Sequence, residues 1–298
     1  MTTIVIIGNG FDIWHGLPTS YRNFYKQYSE ALKDHTHYFP DFYDIDMEWA
    51  NFEESLGSFD QDSFHENVTL QPSLEELGDD PKLLYGFEDE ITIKKDELVE
   101  AITDAFKEWI SKIDVQQATK LVSFPNTFRF INFNYTTTLQ AIYGISEDSI
   151  LHIHGRANRD IIFGHGRVFE SSSSDEPEEI DEPWFTDSYN DVSSVNNVFY
   201  KPVNDIIERH SGQLLGYEDV TDVVIIGHSI NDIDIPYFKS ILAAYPDAKW
   251  KNYNYQDIDE GIDEVAETHE RLLNAGVPEE KLISTSSEDL KNICQLRS

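Results

Sequence analysis

The chain opens with four apolar residues, Ile4-Val5-Ile6-Ile7, that pass directly into Gly8-Asn9-Gly10-Phe11-Asp12. A continuous Ile/Val run has no polar alternate. It therefore predicts a strand covered on both faces, as in the middle of a parallel sheet. Gly8 and Gly10 allow a sharp turn and a close approach, because neither carries a Cβ. A helix starting there adds amide donors and a dipole that favours anions, so the turn predicts a place for a nucleotide phosphate. The dinucleotide fingerprint has a third glycine where this chain has Ile13. A plain strand-to-helix turn uses the same glycines, and on this motif alone both readings stay open.

The same pattern returns farther along. Phe128 to Phe133, Ile150 to Gly155, Ile161 to Phe163, Val223 to Ile226, Lys249 to Tyr255 and Lys281 to Ser284 read as further strands. Between them, helical spacing predicts helices from Thr136–Thr138 through Tyr143, from Phe199 to Ile207, from Pro236 to Ala244 and from Asp263 to Asn274, the last closed by Gly276. Near the start, Tyr21, Phe24, Tyr25 and Tyr28 form an aromatic stripe behind a Thr19 or Ser20 cap, which reads as core. Residues 34–125 lack the strand–helix alternation. Trp49, Phe52 and Leu56 mark one helix face there, and Leu98 to Ile113 another. The fold expected is a single α/β domain over residues 1–298. It is a Rossmann-like open parallel sheet flanked by helices, with 34–125 as a largely helical insertion or lid. Residues 170–191 combine a serine run with many carboxylates and no Lys or Arg, which predicts a mobile acidic loop.

Charge narrows the function classes. Asp and Glu number 56 against 22 Lys and Arg, for a formal net charge of −34. That field repels nucleic acid and anionic membranes, so direct binding to either is not expected. It repels an anionic ligand too, so a phosphate site has to be built from local donors. Cys294 is the one cysteine, which leaves no internal disulfide and fits a reducing cytoplasm. No apolar run is long enough to span a bilayer, and the first run lacks the basic region of a secretory signal.

Four predicted strands end in polar groups: Gly8-Asn9-Gly10 with Asp12, Asn134-Tyr135-Thr136, His152-Ile153-His154-Gly155, and Gly227-His228-Ser229 with Asp232 and Asp234. In an open parallel sheet, ligands bind outside the carboxyl ends of the strands. Parallel strands would bring all four ends to one rim. That convergence is the main argument for a site.

The strings IIGNGFDIWHGLPTSYRNFY, FINFNYTTTL, HIHG with a following FGHG, FYKP and IIGHSINDIDIPYF together resemble the bacterial abortive-infection AbiH family, up to about Phe238. The resemblance implies a role in defence against bacteriophage. A more distant resemblance is to the sirtuin-like fold. There a glycine turn, a Gly-x-Pro element, an Asn strand end, a His-Gly strand end and a Gly-x-Ser strand end follow in the order found here at Gly8, Gly16, Asn134, His154 and Gly227. In defence proteins of that fold the implied reaction is cleavage of NAD at the nicotinamide–ribose bond. The cysteine zinc ribbon of sirtuins is missing, so the likeness does not extend to protein deacylation. Thr19 and Thr136 stand where that pattern often has acids, at positions that handle ribose and nicotinamide.

On this resemblance the catalytic candidates are Asn134, to hold a water or the ribose, and His154, to accept a proton near neutral pH. Gly8, Asn9, Gly10, Gly227 and Ser229 would lie along the pyrophosphate, with Asp12, Thr19, Thr136 and Asp234 toward the riboses. No metal is expected. Each residue also has a plain structural reading, as strand end, helix cap or bonded core histidine. Three other functions stay open. One is a nucleotide-binding sensor without turnover, responding to a phage-derived trigger. Another is a metal-dependent phosphoesterase in which His152 and His154, two apart on a strand and so on one face, join His165 or His228. The third is a serine hydrolase with Ser229 and His269. The sequence leaves the oligomeric state undefined.

Overall fold

The computed structural model describes residues 1–43, 49–67, 72–80, 82–169, 186–257 and 262–294. Its strands are β1 (Thr2–Ile7), β2 (Phe128–Asn132), β3 (Ile150–His152), β4 (Val220–Ile226), β5 (Lys249–Asn254), β6 (Gln256–Asp257), β7 (Ile262–Asp263) and β8 (Leu282–Ser286). Its helices are α1 (Asn9–Trp14), α2 (Tyr21–Thr36), α3 (Phe52–Ser55), α4 (Gln61–Asn67), α5 (Leu74–Asp79), α6 (Lys82–Ser111), α7 (Thr138–Tyr143), α8 (Thr186–Val198), α9 (Val203–Arg209), α10 (Ser211–Leu215), α11 (Ile235–Ala244), α12 (Glu264–Asn274) and α13 (Ser287–Cys294). The chain divides into two compact units: Met1–Ser20 with Trp109–Ile162 and Pro202–Ser298, and Tyr21–Glu108 with Phe163–Lys201.

The first unit holds a six-stranded sheet in the order β3-β2-β1-β4-β5-β8, with every pairing parallel. The expected α/β class and open parallel sheet are therefore what the chain forms. Side-chain alternation explains the unbroken apolar run of β1. Ile4 and Ile6 pack on one face with Ile131, Val223, Ile225 and Trp250, beneath Tyr237 and Ile241 of α11 and Leu272 of α12. Val5 and Ile7 pack on the other face with Phe130, Val224 and Ile226, against Phe11 of α1, Leu139 of α7 and Leu290 of α13. Each fully buried side chain of this size contributes about 1.5–3 kcal/mol. A polar residue anywhere in Ile4–Ile7 would thus face apolar packing. Among the described residues, no helix is long and apolar enough to cross a membrane.

The second unit has an aromatic core. Phe24 of α2 packs 4.9 Å from Phe52, which stacks on Phe42 and Phe106 at 5.4 and 5.5 Å. Phe106 lies 4.4 Å from Phe163. The Tyr21–Tyr28 stripe thus supplies core, with Phe24 fully buried. Within this core sits an ion pair. Lys201 Nζ lies 3.2 Å from Glu53 Oε2, and the Lys201 side chain is 3% exposed. Glu53 also accepts from the Tyr21 hydroxyl at 2.5 Å and from the Gly164 amide at 3.3 Å.

Several expected elements differ. Ile161 makes only an isolated antiparallel bridge to Gly155, not a strand, because Gly155 at φ +79° folds the segment straight back. The helix expected from Phe199 to Ile207 is broken. Helix α8 ends at Val198, Tyr200 bridges to His165, and α9 starts at Val203. Pro202 lacks an amide donor and disfavours helix in the residue before it. Trp49 is buried but lies ahead of α3 at φ +57°, so Trp49, Phe52 and Leu56 do not share one helix face. The helical segment expected over 34–125 compares with Tyr21–Glu108 in the second unit, which also takes in Phe163–Lys201. Of the acidic loop expected at 170–191, residues 170–185 lie outside the described residues, and from Thr186 the chain is already α8.

The Lys201–Glu53 pair yields the first prediction. Lys201→Met leaves a carboxylate with its charge partner removed in a closed aromatic core, which costs about 3–5 kcal/mol. Urea unfolding should show that loss, and the double variant Lys201→Met/Glu53→Met should recover at least half of it. Equal losses in the single and double variants would refute a role for the pair.

Candidate functional site at the carboxyl rim of the sheet

The strand register sets the rim. Ile7 of β1 pairs with Asn132 of β2 and Ile226 of β4, Asn132 with His152 of β3, and Ile226 with Tyr253 of β5. The next residues of β1, β2, β3 and β4 leave the sheet at one level, as Gly8, Phe133, Ile153 and Gly227, and Asn254 beside them is the last residue of β5. Strand order reverses between β1 and β4, the place where open α/β sheets form a ligand crevice. The convergence of the four polar strand ends is therefore realised.

At that reversal the two turns interlock. Gly8 donates its amide to the Ile226 carbonyl at 3.0 Å, and Gly10 donates to Gly227 at 2.7 Å. Phe11 donates to Gly8 at 3.0 Å. A Cβ on Gly8 would lie 2.4 Å from His228 Cα, and one on Gly227 would lie 2.2 Å from the Phe11 nitrogen. These amides, which the sequence pointed toward a phosphate, are engaged within the protein. The Asn9 amide group donates to the Thr19 carbonyl at 2.8 Å. Thr19 is buried, and its hydroxyl has no hydrogen-bond partner among the described residues.

Asp12 is the best-enclosed acid of the rim. It is wholly buried, and its carboxylate accepts from the hydroxyls of Thr136 at 2.5 Å and Thr138 at 2.7 Å. Burial pushes its pKa up to about 6, against the lowering effect of bonds from Thr136, Thr138 and the Asn134 side chain. Asn134 also donates from Nδ2 to the Gly8 carbonyl at 3.0 Å, and its own amide donates to Asn132 Oδ1 at 3.0 Å. The end of β2 is thus tied to the end of β1 through Asn134 and Asp12.

His154 is 2% exposed, and its Nε2 lies 3.1 Å from the Tyr237 hydroxyl. Its ring meets Phe133 edge-on at 5.2 Å. His228 meets Phe133 edge-on at 4.5 Å. His228 Nδ1 accepts the Ile230 amide at 2.8 Å, so its proton sits on Nε2, 3.7 Å from Asp234 Oδ2. Asp234 stands at the N-cap of α11 without a side-chain capping bond. Ser229 is exposed, and its carbonyl accepts from Arg271 at 2.9 Å. The Asn254 amide donates to the His228 carbonyl at 2.9 Å.

Asn134, His154, Gly8, Asn9, Gly10, Asp12, Thr19, Thr136, Gly227, Ser229 and Asp234 therefore all belong to the first unit, most of them at its rim. Phe133, Thr138, Tyr237, Asn254 and Arg271 join them and were not singled out from sequence. Phe133, Thr138 and Tyr237 sit within the quoted strings, one, two and three positions from Asn134, Thr136 and Asp234. Arg271 left no signal, since an Arg on an amphipathic helix reads as solvated.

Two expectations need correction. His152 and His154 do not share a face, because β3 stops at His152. The His152 ring turns to Gln140 at 2.8 Å and the Asn134 carbonyl at 3.4 Å, and burial lowers its pKa to about 4. His154 turns instead to Tyr237. Among the described residues no three His, Cys, Asp or Glu side chains gather as a metal-ligand set. His269, the base considered for Ser229, has Nδ1 on the Ser284 hydroxyl at 2.8 Å.

The family model for bacteriophage abortive infection AbiH matches residues 4–254. That range contains the rim residues other than Arg271, and the whole of the second unit. No curated protein and no solved structure matches the chain.

Asp12 makes stability depend on pH. Its folded pKa lies above its unfolded value of 3.8, so the folded state holds the proton more tightly. The contribution is full below about pH 4 and is lost as pH rises through 6. Between pH 5 and 8 that loss is roughly 1–2 kcal/mol. Asp12→Asn should flatten this part of the profile in urea unfolding across that range. An unchanged slope would refute the assignment.

Proposed function

Since the chain belongs to the bacteriophage abortive infection AbiH family, we propose that it serves phage defence by binding NAD or a related nucleotide at the carboxyl rim and hydrolysing the nicotinamide–ribose bond. The observation that carries this reading is the strand-order reversal at β1 and β4, with Gly8, Asn134, His154 and Ser229 following the carboxyl ends of parallel strands. In the reaction, water adds to the anomeric carbon of the ribose as the carbon–nitrogen bond breaks. The bond's electron pair leaves with nicotinamide, and a proton passes from the water to a base.

His154 is the base in this scheme, oriented by the Tyr237 hydroxyl at its Nε2. Asn134, held through Gly8 and Asp12, keeps the neighbouring strand end in register. The amides of Gly8, Gly10 and Phe11 already have acceptors, so the phosphates fall to Ser229 and its surroundings.

A second reading is a nucleotide sensor without turnover. The burial of His154 and Asn134, 2% and 6% exposed, favours it, because a closed rim has to open before substrate reaches either side chain. A phage-derived trigger would supply that opening in both readings.

Incubation of the purified protein with NAD, with and without a lysate of phage-infected cells, separates the two. Chromatography should show free nicotinamide. His154→Ala should reduce its formation by about 10²-fold or more, the usual contribution of a positioned base. Tyr237→Phe should reduce it less. Saturable NAD binding with no nicotinamide under any condition would establish the sensor, and absence of both would remove the nucleotide from the account.

A further inference from the structure

The turn from β4 into α11 carries two residues in the left-handed region. Gly227 has φ +63°, which glycine adopts easily, but Ile230 has φ +55°. A β-branched residue in the left-handed region is strained by about 1–3 kcal/mol and persists only where its surroundings hold it. Ile230 is fully buried, so its side chain anchors one side of the turn. Its amide donates to His228 Nδ1 at 2.8 Å.

The remaining restraint comes from α12. Arg271 Nη1 donates to the Ser229 carbonyl at 2.9 Å and to Asn231 Oδ1 at 2.9 Å, so one guanidinium nitrogen bridges the two residues that flank Ile230. Nη2 donates to Glu267 at 2.5 Å, which fixes the other edge of the planar group. Arginine suits this task. It offers several donors in a rigid fork, whereas lysine presents one mobile ammonium. The bridged turn presents Ser229, which is exposed at the rim.

We propose that Arg271 is a positioning residue: it clamps the strained turn around Ile230 and so sets Ser229 to receive an anionic group, the diphosphate of a nucleotide. The second half of this statement rests on the nucleotide reading of the rim. The first half does not.

Hydrogen exchange at the Ile230 amide and NAD binding by calorimetry test the two halves separately. In Arg271→Ala the Ile230 amide should exchange at least tenfold faster, while protection in β1 and β5 stays unchanged. Arg271→Lys should not restore it. NAD affinity should fall about tenfold in both variants. If Arg271→Ala proves unstable, Asn231→Ala removes one of the two acceptors and should give a smaller loss in the same direction. Unaltered Ile230 protection in the variants would overturn the clamp. Faster exchange with unaltered NAD affinity would overturn the role in ligand positioning. A wild-type protein that binds no NAD would overturn the anionic-ligand half together with the nucleotide reading, and the Ile230 amide would still decide the clamp.

Discussion

The backbones at the ends of β1 and β4 come closer than any side chain would allow, and the sheet is organised around that contact. The amides of Gly8 and Gly10 bond to carbonyls at the end of β4, and Gly227 lies against the Gly10–Phe11 peptide. A methyl group at Gly8 or Gly227 would sit within 2.5 Å of backbone atoms that have nowhere to move. From this junction α1 leaves toward one face of the sheet and α11 toward the other, as their partners in the two cores record. The reversal of strand order lies at the same contact.

Polar networks secure the rim on both sides of the junction. On the β2 side a buried Asp12 collects Thr136, Thr138 and Asn134, and Asn134 returns to the Gly8 carbonyl. On the β5 side Asn254, Arg271 and the Ile230 amide hold the turn around His228. Phe133 stands between the two imidazoles of His154 and His228 and keeps them apart. A buried acid and a left-handed isoleucine both oppose folding, and each is offset by bonds that a simple strand-to-helix turn does not require. Such local costs cluster where shape matters more than stability.

The second unit solves a different problem. Among the described residues it contains no strand of the sheet, and large aromatic rings supply much of its buried area. The Lys201–Glu53 pair lies in the same unit, with the Lys201 side chain buried and Glu53 held also by Tyr21 and the Gly164 amide.

Much of this was legible in the residues themselves. The Ile4–Ile7 run, with no polar alternate, determined a strand covered on both faces, and the recurrence of strand, polar end and helix determined the parallel class. The order of the motifs marked the family, and parallelism alone sufficed to place Gly8, Asn134, His154 and Ser229 on one rim. What the residues left undecided was which partner each polar group takes. An asparagine or an amide has the same local signature whether it faces a ligand or another turn, and only the approach of β4 to β1 engaged the Gly8 and Gly10 donors. The same holds for His152 and His154, which alternate in sequence but diverge because β3 ends between them. Arg271 was invisible until α12 packed beside the β4 turn, since hydrogen bonds between residues 40 apart depend on tertiary geometry and not on local pattern.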